Sequence, residues 1–193
     1  MSIDDNSIFY PKSKQDWRNW LLENHLQAES VWVIFYKQKA NQPTITWSES
    51  VDQALCFGWI DSTKKSLDEE RSIQFFSKRK PASTWSKINK QKVDVLIAEG
   101  LMMEAGYASI ERAKQNGSWT ILDEVEELIV PEDLAEAFQL YPGSESYFSG
   151  LSKSAKKMLL QWIVLAKRPE TRKKRVDEIA VSAAQQQQPH PFR

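Results

Sequence analysis

The apolar and polar positions near the start of the chain predict one helix followed by two strands. Apolar residues recur at helical spacing after Ser13, a residue type that caps helices, so we predict a helix that ends near His25. Residues 31–36 (VWVIFY) are apolar on both faces, which is typical of a central strand covered on two sides. Residues 44–47 follow a turn at Pro43 and are predicted as a short partner strand.

The next part of the chain predicts a helix and two extended segments. The helix begins at the cap Ser48 and ends at Gly58, because glycine commonly follows the last turn of a helix. Residues 59–61, which follow Gly58, are predicted to be extended. Residues 72–77 (SIQFFS) are a further strand candidate. These segments and the earlier strands predict a small sheet.

The segments after this sheet are periodic at helical spacing. A helix from Ser83 to about Gly100 is expected to carry Ile88 and Ile97 inward together with two other apolar residues, and another helix covers residues 103–115. Strands thus come early and helices late. The predicted fold class is α+β, with a small sheet and flanking helices in the N-terminal two-thirds and a helical C-terminal part.

The C-terminal part is predicted to contain only helices. Its helices are expected over residues 131–140 and 153–167, and a last one opens at Pro169. An acidic stretch without lysine or arginine, residues 118–150, precedes and overlaps the first of them and marks a change of composition.

This change of composition suggests how the domains are divided. We expect an α+β body over residues 13–119 and a helical part over residues 130–184, which form either two domains or one composite domain. The tail over residues 185–193, with four consecutive glutamines and two prolines, is expected to be mobile.

The composition is that of an ordinary soluble globular protein. Hydrophobic residues make up 41% and charged residues 27% of the 193 positions, and the formal net charge is zero. The single cysteine, Cys56, cannot form an internal disulfide, and residues 1–12 lack an export leader, so we expect the reducing cytoplasm. The longest apolar runs are far shorter than the ~20 residues of a membrane span, so no membrane partner is expected.

Aromatic and polar residues are densest between residues 56 and 89. Arg79 can hold an anion, tryptophan rings can stack on a ligand, and serine and asparagine side chains near a helix N-terminus can orient it. The same residues also have a structural explanation, in which Ser83 is only a helix cap, the tryptophans are core and Asp61 pairs with Arg79. The candidate ligand-binding residues are Trp59, Asp61, Arg79, Ser83, Trp85, Ser86 and Asn89.

We therefore expect a protein that binds a small anionic or aromatic ligand, or a protein partner, without catalysis. The alternative is an enzyme of unknown class with Asp61 as general base or Cys56 as nucleophile. Cys56 lies among apolar residues, where thiols are usually inert. No metal-ligand spacing and no glycine-rich nucleotide loop occurs in the sequence, so neither a metal nor a cofactor is expected.

A third hypothesis concerns the basic run Lys153–Arg175, which contains nine lysines and arginines and one acidic residue. Such a face can bind nucleic-acid phosphates weakly, with an affinity that falls as salt rises. The zero net charge of the chain favours a solvated helix face over a nucleic-acid interface.

Two motifs in this chain are distinctive: Gly-Trp-Ile-Asp at residues 58–61 and Trp-Ser-x-x-Asn at residues 85–89. Over roughly residues 13–181 the chain resembles the YdeI/OmpD-associated (bacteriocin-protection) family. Ser77 departs from the family's pattern, which has proline before the basic triplet at 78–80 (KRK). The resemblance implies a bacterial, cytoplasmic protein associated with stress or bacteriocin tolerance, and it brings no catalytic residue, cofactor or substrate with it.

Overall fold

The chain folds as two compact units, Met1–Trp119 and Thr120–Arg193. The computed structural model describes residues 8–189 and Phe192. The expectation that residues 1–12 lack an export leader therefore lies partly outside the described residues, at residues 1–7. Each unit has a hydrophobic core of its own. The core of the first unit is rich in tryptophan and phenylalanine, and that of the second is mainly aliphatic.

The first unit contains a four-stranded sheet, four α-helices and one short 3-10 helix (Gln38–Ala40) among its described residues. In chain order the strands and α-helices are β1 (Ile8–Phe9), α1 (Lys14–Asn24), β2 (Ser30–Tyr36), α2 (Trp47–Cys56), β3 (Trp59–Ser66), β4 (Arg71–Lys78), α3 (Lys87–Ala98) and α4 (Glu104–Gln115).

The strands lie in the order β1-β2-β4-β3, so β3 is at one edge of the sheet. β1 runs parallel to β2, and the other neighbours are antiparallel. β3 contains a bulge: Asp61 lies opposite Phe76 and Lys64 lies opposite Gln74, so three steps along β3 match two along β4. Because residues three apart in a regular strand face opposite sides, this extra residue brings Asp61 and Lys64 to the same side of the sheet.

The prediction that the strand at residues 31–36 is covered on both sides was wrong for one of its two faces. Val31, Val33 and Phe35 are buried in the core of the first unit, whereas the residues that alternate with them are only half-buried. The second face is therefore apolar without being a fully buried core face.

The helix that was predicted after Ser13 is confirmed, and the Ser13 side chain accepts a hydrogen bond from the Asp16 N–H.

The expected partner strand at residues 44–47 is absent from the described structure, and α2 begins there instead. Thr46 caps this helix, because its side chain accepts from the Glu49 N–H and the Glu49 carboxylate accepts from the Thr46 N–H. This reciprocal pair ends the extended backbone two residues before Ser48, the cap that the sequence predicted.

The helix predicted from Ser83 begins four residues later, at Lys87, with Ser86 as its cap. Ser83 lies before the helix, in a turn where its N–H donates to the Lys80 carbonyl oxygen at 2.9 Å. Ile88 and Ile97 are 61% and 41% exposed, so the prediction that they point inward was wrong. Val93 and Leu96, the other two residues that were predicted to point inward, are buried.

The second unit is entirely helical among its described residues, and the predicted α+β fold class is confirmed for the chain as a whole. The helices that begin at Glu132, Lys153 and Pro169 lie where the sequence predicted them. The two shorter helices, at residues 123–126 and 144–150, were not predicted because their sequences show no strong apolar period. In chain order the helices of this unit are α5 (Asp123–Glu126), α6 (Glu132–Leu140), α7 (Ser144–Gly150), α8 (Lys153–Val164) and α9 (Pro169–Ala184).

The tail that was expected to be mobile begins directly after α9. Residues 190, 191 and 193 lie outside the described residues, and the Phe192 ring packs edge-on against Trp162 at 5.3 Å between centroids.

Over the described residues, no helix is long and apolar enough to cross a membrane. The same residues contain no group of three or more histidine, cysteine or acidic side chains placed to hold a metal ion.

Candidate functional site

The structure brings together the two tryptophan-bearing stretches that the sequence singled out. Arg79 follows the last residue of β4, and its N–H donates to the Gly58 carbonyl oxygen at 2.9 Å. Its guanidinium carbon lies 3.7 Å from the centroid of the Trp85 ring, which is the distance of a cation–π contact. Trp59 is the neighbour of Gly58 in sequence, so both motifs meet at Arg79.

Arg79 is a buried cation whose hydrogen-bonding capacity is only partly used. The residue is 8% exposed, and its Nη1 donates to the Thr84 carbonyl oxygen at 2.8 Å. Among the described residues, Nε and Nη2 of Arg79 have no hydrogen-bond partner, and neither does Nε1 of Trp85. Three buried N–H donors at one stacked pair is a local concentration that packing alone does not explain.

The electrostatic surroundings of Arg79 compensate its charge only in part. Burial lowers the pKa of Arg79 to about 10, and the negative charge of Asp61 opposes that shift. The guanidinium therefore remains protonated at neutral pH. Asp61 acts through space, since the described hydrogen bonds to its carboxylate come from other side chains.

Asp61 is tied to two residues that sequence reasoning missed. Its Oδ2 accepts from Nε1 of Trp47 at 2.9 Å and from Nε2 of Gln74 at 3.1 Å. Trp47 lies in the first turn of α2 and Gln74 lies in β4, so neither is near Asp61 in sequence. The Asp61–Arg79 pair that was considered at the sequence level is thus not a hydrogen-bonded one.

Two of the candidate residues, Trp59 and Ser86, have structural roles in the fold. Trp59 is 1% exposed, and its Nε1 donates to the His25 carbonyl oxygen at 3.4 Å. The Ser86 side chain accepts from the Asn89 N–H, which is the usual geometry of an N-cap. Ser83 and Asn89 are half-buried and close to Trp85 in sequence, so their side chains stay candidates for orienting a ligand.

The Trp119 ring packs against the Trp85 ring at a tilt, and it too was missed as a candidate residue. The two rings lie 4.9 Å apart between centroids, and the ammonium groups of Lys90 and Lys114 lie 5.3 and 5.8 Å from the Trp119 ring. The Arg79 guanidinium thus lies over one ring of a tilted tryptophan pair, and the ammonium groups of two lysines lie over the other ring.

Cys56 lies in surroundings that suppress a nucleophile. The side chain is fully buried, and burial raises the pKa of the Cys56 thiol, against an opposing effect of Arg18. A higher pKa means less thiolate at neutral pH, and the thiolate is the reactive form.

Several cations of the basic run Lys153–Arg175 have partners within the second unit. Lys157 pairs with Glu126, and Arg172 holds Asp133 through Nε and Nη2 at 2.7 and 2.9 Å. Arg175 donates to the Trp162 carbonyl oxygen and lies over the Trp162 ring. These contacts reduce the charge that this face offers to phosphates.

Comparison with known families divides the chain in two. Residues 9–109 match the family described as Domain of unknown function (DUF8412), which is more than half of the 193 residues. The chain belongs to this domain family. Residues 127–186 match the family described as Bacteriocin-protection, YdeI or OmpD-Associated, which confirms the predicted family for the C-terminal part. No curated protein and no solved structure matches the chain.

The YdeI/OmpD-associated match covers the helices α6 to α9, including the basic run. The two motifs that suggested the family from sequence, at 58–61 and 85–89, lie in the DUF8412 match instead. Arg79 and the residues around it therefore belong to the DUF8412 part of the chain.

Proposed function

We propose that this YdeI/OmpD-associated protein binds a small carboxylate at Arg79 and is a binding protein without catalysis. The observation that carries the proposal is the pair of buried, unpartnered donors Nε and Nη2 on one edge of the guanidinium. A single, buried, free cysteine fits a reducing compartment, and we place this binding in the cytoplasm.

The geometry of the free edge favours a carboxylate. Nε and Nη2 of an arginine point in the same direction and can hold both oxygens of one carboxylate. Arg172 does this in the same chain, where its Nε and Nη2 hold the two oxygens of Asp133. In Arg79 the Trp85 ring and the Thr84 carbonyl oxygen fix the guanidinium, so the same edge is already oriented.

The charges around Arg79 favour a monoanion. One buried guanidinium carries one positive charge, and Asp61 already contributes a negative field there. A dianion would leave excess negative charge in a poorly hydrated place, which is costly. A singly charged carboxylate balances the guanidinium and supplies acceptors for its two free donors.

The test uses acetate as the probe and thermal unfolding as the readout. Every tryptophan except Trp162 lies within residues 1–119, so tryptophan fluorescence reports the first unit. At ten times its dissociation constant, acetate should raise the free energy of unfolding by about 1.4 kcal/mol relative to chloride at equal ionic strength. Arg79→Lys keeps the charge but loses the two-donor edge, and should lose most of this gain.

Arg71→Lys is the matched control, because Arg71 is a partly exposed arginine of the same unit that pairs with Asp68. It should keep the full effect of acetate. The proposal fails if acetate stabilises the protein no more than chloride, or if Arg79→Lys retains the whole stabilisation.

A further inference from the structure

A cavity that Arg79 does not line lies beside Trp47 and Gln74, the two hydrogen-bond partners of Asp61. It has a volume of about 310 Å³, at the small end of the range for ligand pockets. It is lined by the ends of β2 and β4, the first turn of α2 and the segment before it. The lining residues that matter here are Phe35, Ile45, Trp47, Lys64 and Gln74.

Gln74 supplies a fixed acceptor in the cavity lining. The residue is 3% exposed, and its Nε2 donates to Asp61 Oδ2 and to the Ser62 carbonyl oxygen, at 3.1 and 3.0 Å. Both partners are acceptors, so the amide can be oriented in only one way. Its Oε1, on the opposite side of the amide group, is left to accept from a ligand in the cavity that Gln74 lines.

Lys64 supplies a positive charge directly opposite Gln74 in the sheet register. The β3 bulge is what places it there, on the same side of the sheet as Asp61. Lys64 has no carboxylate partner among the described residues. An anionic group bound in the cavity can pair with it.

Trp47 supplies an aromatic wall. The residue is 48% exposed although its indole is held in place by the hydrogen bond from Nε1 to Asp61. Phe35 and Ile45, which are buried, add apolar surface to the same cavity. A held but exposed indole beside apolar side chains is suited to stacking against a flat ring.

We propose that this cavity binds a planar aromatic monoanion that carries a hydrogen-bond donor. The ring stacks on Trp47, the anionic group pairs with Lys64, and the donor reaches Oε1 of Gln74. This site is distinct from the one at Arg79, and either can exist without the other.

The probe is 4-hydroxybenzoate, which combines a ring, a carboxylate and a hydroxyl donor. Binding is followed by titration in ¹H–¹⁵N spectra, in which the Trp47 indole N–H should shift, and that signal is identified by its loss in Trp47→Phe. Trp47→Ala should weaken binding by about tenfold. Lys64→Gln should weaken it about twofold to fivefold, the range for an exposed ion pair.

Lys65→Gln is the matched control for Lys64→Gln. Lys65 is the next residue of β3, but its ammonium lies over the Trp32 ring on the opposite side of the sheet. Its removal should leave the affinity unchanged.

Three results would overturn the proposal. One is the absence of any shift of the Trp47 signal with 4-hydroxybenzoate at millimolar concentration. Another is an equal loss of affinity in Lys64→Gln and Lys65→Gln. The third is binding of benzoate, which lacks the donor, as tightly as 4-hydroxybenzoate, because the acceptor of Gln74 would then play no part. If Trp47→Ala fails to fold, the lysine pair and benzoate still decide the question.

Discussion

Polar atoms that are buried without partners cluster at one place among the described side chains. Four such atoms occur, and three of them belong to Arg79 and Trp85. Each unsatisfied buried donor destabilises a fold by about 1–3 kcal/mol. A stacked pair that carries three of them is therefore a feature that folding alone would not favour, whereas a bound anion would satisfy the guanidinium donors.

Cys56 gives a prediction at the scale of a single residue. Because the thiol is buried and its pKa is raised, iodoacetamide should leave the folded protein unmodified at pH 7.5 and label it fully in denaturant. Mass spectrometry measures the extent of labelling. Rapid labelling of the folded protein would instead support the alternative in which Cys56 is a nucleophile.

The raised pKa of Cys56 also makes the free energy of unfolding depend on pH. Its raised pKa means that the folded state keeps the proton at a pH where the unfolded chain releases it. The stabilising effect is complete below the usual pKa of 9.0 and is lost as pH rises above it. Cys56→Ala should remove this part of the slope of stability against pH.

At the scale of elements, the contact between α2 and α4 depends on two glycines. A Cβ added to Gly106 would lie 2.3 Å from the Cys56 carbonyl oxygen, and one added to Gly58 would lie 2.7 Å from the Ala105 carbonyl oxygen. Gly58 also has a φ of +71°, which favours glycine. The end of α2, where the first sequence motif begins, thus packs backbone to backbone against α4.

Gly106→Ala should destabilise the first unit by about 1–3 kcal/mol, the range for overpacking a core, because the opposing atom is backbone and cannot rotate away. The measurement is urea unfolding followed by tryptophan fluorescence. Gly150→Ala, at a helical position of the second unit where a Cβ meets nothing within 4 Å, is the control, and its unfolding is followed by circular dichroism because tryptophan fluorescence reports the first unit. Equal stability of Gly106→Ala and the parent protein would contradict the close approach.

Sequence patterns predicted most elements but not all of their boundaries. The cap Ser13 was readable because it is followed by a continuous helical period. The start of α2 was missed although Thr46 and Glu49 form a capping box at the expected spacing, because the apolar alternation of the segment before it was given more weight.

The candidate site was predicted only where its residues are close in sequence to a motif. Arg79 and Trp85 are six residues apart, and the structure stacks them. Trp47 and Gln74 were missed because their link to Asp61 depends on how α2 and β4 pack, which no local pattern encodes. The β3 bulge was missed for the same reason.

At the scale of the whole molecule, the two structural units and the two family matches divide the chain at similar places. The matches cover residues 9–109 and 127–186, and the structure changes units after Trp119. Each unit also buries its own apolar residues. Because the structural units and the family matches divide the chain at similar places, we expect the two parts to fold separately.

A fragment of residues 120–193 should therefore fold alone. Far-ultraviolet circular dichroism should show a helical spectrum that melts in one cooperative transition, as the aliphatic core of that unit requires. A spectrum of unfolded chain, recovered as helix only when residues 1–119 are present, would show that the units depend on each other.

The bulge in β3 also governs how the sheet meets other molecules. β3 is an edge strand, and a straight edge with free backbone groups can recruit a strand from another chain and start aggregation. The extra residue between Asp61 and Lys64 interrupts that row of groups, and Lys64 and Lys65 place charge beside it. The β3 bulge, which places Lys64 in the cavity lining, therefore also makes this edge less able to pair with a strand of another chain and to start aggregation.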